Sequence, residues 1–149
     1  MRLSSMADYA VVTMSAAARH CGSASLVDAA GRKRARISSA QLAAETGLPL
    51  PTVQKLVSTL TAAGLLRSTR GQHGGLQLAR PAAAITLADI VEAVEGPIAL
   101  TSCVETGKHD CALEASCHVR PHWGLVNQTL RGALAGVPLT QLARMEARA

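Results

Sequence analysis

The chain is predicted to be mainly α with one small β-hairpin, and three observations carry that expectation. Apolar stripes of helical period recur along its 149 residues, several opened by a Ser or Thr cap and closed by Gly. Only residues 65–69 and 76–79 read as strands, and they flank a glycine-rich turn, Arg70-Gly71-Gln72-His73-Gly74-Gly75. A last long apolar stripe follows a cysteine-bearing stretch that has no regular period. Two short helices, a hairpin and then a long helix make a winged helix-turn-helix with an appended helix.

The elements follow in order. Residues 4–20 form a first helix, in which Ser5-x-x-Asp8 has the capping-box form and the Ala-, Val- and Met-rich body looks buried. Residues 21–37 are a loop carrying the basic run Arg32-Lys33-Arg34-Ala35-Arg36, a solvated face or a phosphate contact. Ser38 or Ser39 caps a short helix that Gly47 ends in the left-handed conformation. Pro51 suits the first position of the next helix, 51–63. There Val53, Leu56, Val57 and Leu60 make one apolar stripe. Its polar face carries Thr52, Gln54, Lys55, Ser58 and Thr59, short side chains able to bond base edges, or simply a solvated exterior. Gly64 closes it, and the hairpin follows with Arg70, Gln72 and His73 in the turn, where a narrow minor groove would attract arginine.

Thr86-x-x-Asp89 opens a further helix to Glu95, with Ile90, Val91 and Val94 on one side and Gly96-Pro97 at its end. The cysteine loop occupies about 101–118. A long helix from about 119 to 134 presents Trp123, Val126 or Asn127, Leu130 and Leu134, and a short helix follows Pro138. The expected organisation is 1–84 as the DNA-binding domain, 85–118 as helix and cysteine loop, and 119–149 as dimerisation helix and tail. Two-fold operators make a dimer the geometric expectation.

Bulk composition narrows the function. Hydrophobic residues make up 48% and charged residues 17%, enough apolar material for a core. A net charge of +5 suits a polyanion. One Trp, one Tyr and no Phe disfavour single-strand binding, which stacks bases on aromatics, so duplex DNA is the expected partner. No apolar run reaches the roughly 18 residues of a membrane span. Asp8, Arg19, Thr13 and Ser15 interrupt what would otherwise imitate an export signal, so a cytoplasmic protein is expected. No paired carboxylates, Ser-His-Asp set or strand-to-helix phosphate loop is present, so no enzyme and no small-molecule substrate are expected.

Cys103, Cys111 and Cys117 crowd one stretch, with Cys21 far away. Clustered thiols in a reducing compartment serve metals or redox chemistry. Soft thiolates select iron–sulfur clusters, and the spacing is not that of a zinc ribbon. Zinc with His109 or His118, a disulfide switch, and three incidental cysteines remain the alternatives.

These residues together resemble a family. Met1-Arg2-Leu3-Ser4 with Asp8-Tyr9-Ala10, Gly47-Leu48-Pro49, and Gly64-Leu65-Leu66 with Arg70-Gly71-x-x-Gly74-Gly75 resemble the bacterial iron–sulfur-cluster winged-helix regulators, the IscR-like and NsrR-like repressors. The runs from Glu95 to Thr101 and from Cys117 to Trp123 look most like the branch that regulates SUF cluster assembly. The resemblance spans nearly the whole chain except the 21–36 loop. It implies a homodimer, a long helix crossing between subunits, and a 2Fe-2S or 4Fe-4S cluster on Cys103, Cys111 and Cys117 that sets DNA affinity. IscR-like members place a His three residues after the last Cys, where this chain has Arg120. NsrR-like members use an Asp that Asp8 matches, contributed by the other subunit; His118 and His122 are the other candidates. A nitric-oxide sensor of the same fold is the nearest rival. Cys21 is assigned no role.

Overall fold

The computed structural model describes residues 2–21, 36–72, 74–104 and 108–145. Along the chain come α1 (Ser5–Cys21), α2 (Ser39–Thr46), α3 (Leu50–Ala62), β1 (Leu66–Thr69), β2 (Gly75–Leu78), α4 (Leu87–Glu95), α5 (Arg120–Ala135) and α6 (Leu139–Met145). The predicted fold class holds: a mostly helical chain with a two-stranded antiparallel wing.

The first helix lies at the centre. Ala7, Ala10, Thr13, Met14, Ser15, Ala16, Ala17, Ala18 and Cys21 are buried, so α1 is enclosed on most of its circumference. Helices α2, α3, α4 and α6 and strand β2 all pack against it. Its start corrects one expectation. The Ser5–Asp8 capping box does not form, because Ser4 is the cap: its Oγ accepts the Ala7 N–H at 3.1 Å. Ala7 has no oxygen to return the bond, and Glu95 of α4 supplies it instead, accepting the Ser4 N–H at 2.8 Å. At the other end, Arg19 and His20 both bond the Glu45 carboxylate of α2, with Arg19 Nε donating at 3.1 Å. Partial burial pushes Glu45 upward, but the Arg19 and His20 bonds prevail and hold it below the usual carboxylate value.

The helix-turn-helix forms as local signals dictate. Ser38 and Gln41 make a reciprocal capping box on α2, and Gly47 ends it at φ +73°. Helix α3 starts at Leu50, one residue before the expected 51, which puts Pro51 at its second position. Val53, Leu56, Val57 and Leu60 are buried, the stripe the sequence predicts. The Leu65 N–H then reaches back to the Leu60 carbonyl at 2.9 Å, with Gly64 at φ +75° between them.

In the wing, Leu66 pairs with Leu78 and Thr69 with Gly75. Two glycines are obligatory here. A Cβ on Gly74 would lie 2.3 Å from the Thr69 carbonyl oxygen, and Gly75 sits at φ +149° with the Arg36 Cβ 2.7 Å from where its own would be. That close approach exists because Ile37 joins the sheet, exchanging backbone bonds with Leu76 at 2.8 and 3.2 Å. The expected 21–37 loop therefore ends in a sheet residue; of its basic run 32–36, all but Arg36 lie outside the described residues.

Helix α4 has the expected Thr86–Asp89 capping box and buries Ala88, Ile90 and Val91. The short helix expected after Pro138 is α6. A further pairing was not foreseen: Leu87 N–H bonds the Val137 carbonyl at 2.9 Å and Leu139 N–H the Ile85 carbonyl at 2.8 Å. This returns the chain's last described helix to α1, with Leu139 fully buried. Among the described residues no helix is long and apolar enough to cross a membrane.

Leu56 is fully buried on α3. Leu56→Ala is expected to lower unfolding free energy by about 2–5 kcal/mol in denaturant titration. A loss below about 1 kcal/mol would show that α3 is not cemented to the core through this stripe.

Candidate nucleic-acid interface and cysteine loop

Helix α3 turns its apolar stripe inward, which leaves one face for a ligand. Gln54, Lys55 and Ser58 are exposed on it, as expected of base readers. Thr52 and Thr59 are only half-exposed, and the Thr59 hydroxyl already donates to the Lys55 carbonyl at 3.1 Å. Leu50 and Pro51 are also exposed on that face. In the wing turn Arg70 and Gln72 are exposed; His73 lies outside the described residues. Arg67 of β1 is a further exposed cation beside that turn. In β1 only Leu66 is buried, and residues 67–69 are all exposed.

The cysteine loop hangs between two anchors. At its start, Asn127 of α5 clamps the chain: its Oδ1 accepts the Leu100 N–H at 3.0 Å and its Nδ2 donates to the Ile98 carbonyl at 2.8 Å. This settles the choice between Val126 and Asn127, since Asn127 is half-buried against the body while Val126 is exposed. One turn on, Arg131 grips Glu92 of α4 with two bonds of 2.8 and 2.9 Å. At its end, Glu114 accepts from Arg120 at 2.8 Å and from His109 at 2.9 Å. Arg120, standing where IscR-like proteins have a ligand His, is thus engaged with Glu114.

The three thiols are free: Cys111 is exposed, and Cys103 and Cys117 are half-exposed. The Thr101 hydroxyl lies 3.1 Å from Cys103 Sγ. Three free thiols on a surface loop are the donor chemistry an iron–sulfur cluster takes. Among the described residues of the single chain, however, no three Cys, His, Asp or Glu side chains gather as a metal site. The donors fit by type and accessibility, and one chain alone does not bring them together. Asp8 is exposed in the first turn of α1 and, with capping done by Ser4 and Glu95, has no side-chain bond to another described residue. His118 and His122 are also exposed. Buried Cys21 lies apart, its Sγ 3.5 Å from the Leu76 carbonyl.

Known proteins resemble this chain in sequence and fold. Residues 3–145 match the model of the Rrf2 family, described as an iron-dependent transcriptional regulator. Protein aau3 of Rhizobium meliloti is 37% identical over 134 residues, 90% of this chain and 75% of that protein. The HTH-type transcriptional regulator IscR of Photobacterium profundum is 31% identical over 146 residues, 97% and 76% of the two chains. Among solved structures, CymR (YrzC), the global cysteine regulator of B. subtilis, superposes with a TM-score of 0.69 at 26% identity, covering 97% of this chain and 98% of that one. Fold and relatives together define a winged-helix transcriptional regulator and not an enzyme. The chain belongs to the Rrf2 family.

Two expectations follow from the anchors. Asn127→Ala strands the half-buried Leu100 N–H and Ile98 carbonyl and is expected to cost about 1–3 kcal/mol of stability, read by thermal and denaturant unfolding. The Arg131 bonds hold Glu92 below its ordinary 4.5, against the opposing effect of partial burial and with help from a long bond to the Ile98 N–H. A depressed carboxylate stabilises the fold above its unfolded pKa, and that contribution is lost as pH falls through the lower folded value. The stability gap between wild type and Glu92→Gln should therefore be full at neutral pH and close below pH 4.5. A gap independent of pH would mean that the ion pair contributes nothing.

Proposed function

We propose that this Rrf2 regulator is a homodimeric repressor whose operator affinity is set by an iron–sulfur cluster on Cys103, Cys111 and Cys117. The observation that carries the reading is the pairing, in one family-typed chain, of an exposed polar α3 face with three free thiols on an anchored surface loop. When bound, the cluster would supply a crosslink of that loop that oxygen, nitric oxide or iron scarcity can remove. The fourth ligand we assign is Asp8 of the other subunit, which no capping bond holds. By resemblance, the target is the SUF cluster-assembly genes.

The chain's own residues do the rest. Helix α5 has no buried residue in the single chain, and Leu125 (68%) and Val126 (45%) are widely exposed. Val119, His122, Val126, Thr129 and Ala133 recur at alternating steps of three and four along this exposed surface. A second copy of α5 is the partner we assign to it, which sets two α3 helices in successive major grooves. There Thr52, Gln54, Lys55, Ser58 and Thr59 approach base edges, while Arg70, Gln72 and His73 approach the flanking backbone or minor groove. Because Asn127 lies on α5 and holds Leu100, a change in the loop bears on the helix that spaces the two reading heads.

A second reading is a thiol-sensing regulator without a cluster. The ungathered thiols and the likeness to CymR, titled a cysteine regulator, favour it. Purification without oxygen separates the two: the cluster reading expects visible absorption with iron and sulfide bound, lost on changing the three cysteines to serine. Colourless, iron-free protein after anaerobic reconstitution leaves the thiol switch. In either case Gln54→Ala is expected to relax discrimination at one base position by about 1–3 kcal/mol, read on a panel of single-base operator variants. Uniform weakening across the panel would remove Gln54 from the set of base readers.

A further inference from the structure

Six large hydrophobic side chains stand exposed among the described residues: Leu3, Leu50, Leu113, Val119, Leu125 and Val126. Four of them lie on the cysteine loop or along α5, and Leu3 precedes α1. Leu50 alone belongs to the helix-turn-helix, 40% exposed at the first position of α3. Two fifths of its surface is left open to a partner, so folding alone does not realise the full burial of this leucine.

Its neighbours on the helix indicate what it meets. Residues 50, 54 and 58 are four apart and share one row of the helix surface, so Leu50 stands directly above Gln54 and Ser58. Pro51 and Lys55 form the adjoining row, also exposed. The outward face of α3 thus begins with an apolar turn and continues with a polar one. Recognition helices approach base edges with their N-terminal residues. The one apolar group in the major groove is the C5-methyl of thymine, which is read by van der Waals contact.

We propose that Leu50, flanked by Pro51, is a specificity-determining residue that reads a thymine methyl beside the base addressed by Gln54. The proposal rests on the reading of α3 as the DNA-contacting helix and deepens it. A polar side chain at position 50 would leave that base pair unread; leucine makes it discriminate thymine from cytosine and from uracil.

The test uses the full chain and a duplex selected from a random library, in which each thymine is replaced singly by deoxyuridine, removing the methyl alone. Wild type is expected to lose about fourfold in affinity at one thymine per half-site, the size of one buried methyl group. Leu50→Ala should bind more weakly but show no further loss at that position, whereas Leu50→Met should keep the penalty. Because Leu50 is exposed, both variants should fold, checked by circular dichroism. Equal uracil penalties in wild type and Leu50→Ala, or no penalty at any thymine, would overturn the assignment. Failure to select any duplex sequence would overturn the DNA-reading role of α3, and this proposal with it.

Discussion

The helices around the described core are placed by the burial of α1. A helix enclosed by α2, α3, α4, α6 and β2 needs side chains small enough to let five neighbours approach, and the buried Ala7, Ala10, Ala16, Ala17 and Ala18 provide that. Alanine also has the best intrinsic helix propensity, so the most crowded element forms with least local opposition. Carboxylates of the surrounding helices fix both of its ends, Glu95 at Ser4 and Glu45 at Arg19 and His20. These groups are partly exposed, so their bonds contribute orientation more than stability. The area buried along α1 holds the fold, and the pairs at its ends set how it is rotated.

The parts legible in the sequence are those determined within a few residues. Thr86 with Asp89, the left-handed Gly47 and the α3 stripe all act over one or two turns and formed as expected; the Ser38–Gln41 box, which decides between Ser38 and Ser39 as the cap, and the left-handed Gly64 are equally local. The features that differ from the sequence expectation, or that it left open, have a different cause. Ser5 and Asp8 have the spacing of a capping box, yet the box is completed by Glu95, 91 residues from Ser4. Ile37 gives no strand signal alone, because its pairing exists only where Leu76 passes. Val126 and Asn127 are consecutive residues about 100° apart around the helix, either of which could continue the stripe, and the position of Ile98 and Leu100 decides which faces inward. On α3 a polar-face reading favoured Thr52 by chemistry, while the geometry gives Leu50 the greater exposure.

The same contrast governs the site. Thiol chemistry is visible in Cys103, Cys111 and Cys117 as residue types, but convergence is a property of three-dimensional placement. Among the described residues the loop's ties include a Thr101 hydroxyl at Cys103 and short turns such as Glu114 N–H to the Cys111 carbonyl at 3.0 Å. Its further attachments are at Leu100, before the first thiol, and at Glu114, between the second and third, where Arg120 holds it.

That arrangement has a mechanical consequence for the proposed switch. A segment pinned at both ends cannot draw three sulfur atoms together without moving its pins or its middle. Both pins lead to α5, since Asn127 holds the first and Arg120 opens the helix itself. Helix α5 is in turn joined to α4 through Arg131 and Glu92, and α4 to the start of α1 through Glu95. On the proposed reading, gathering the thiols therefore acts on α5 first. The exposed side of that helix, with Leu125 and Val126, is where a small rotation would be converted into a change of distance between two reading helices. The α3 face itself need not change shape for operator affinity to change, because spacing alone decides whether both copies reach their grooves at once.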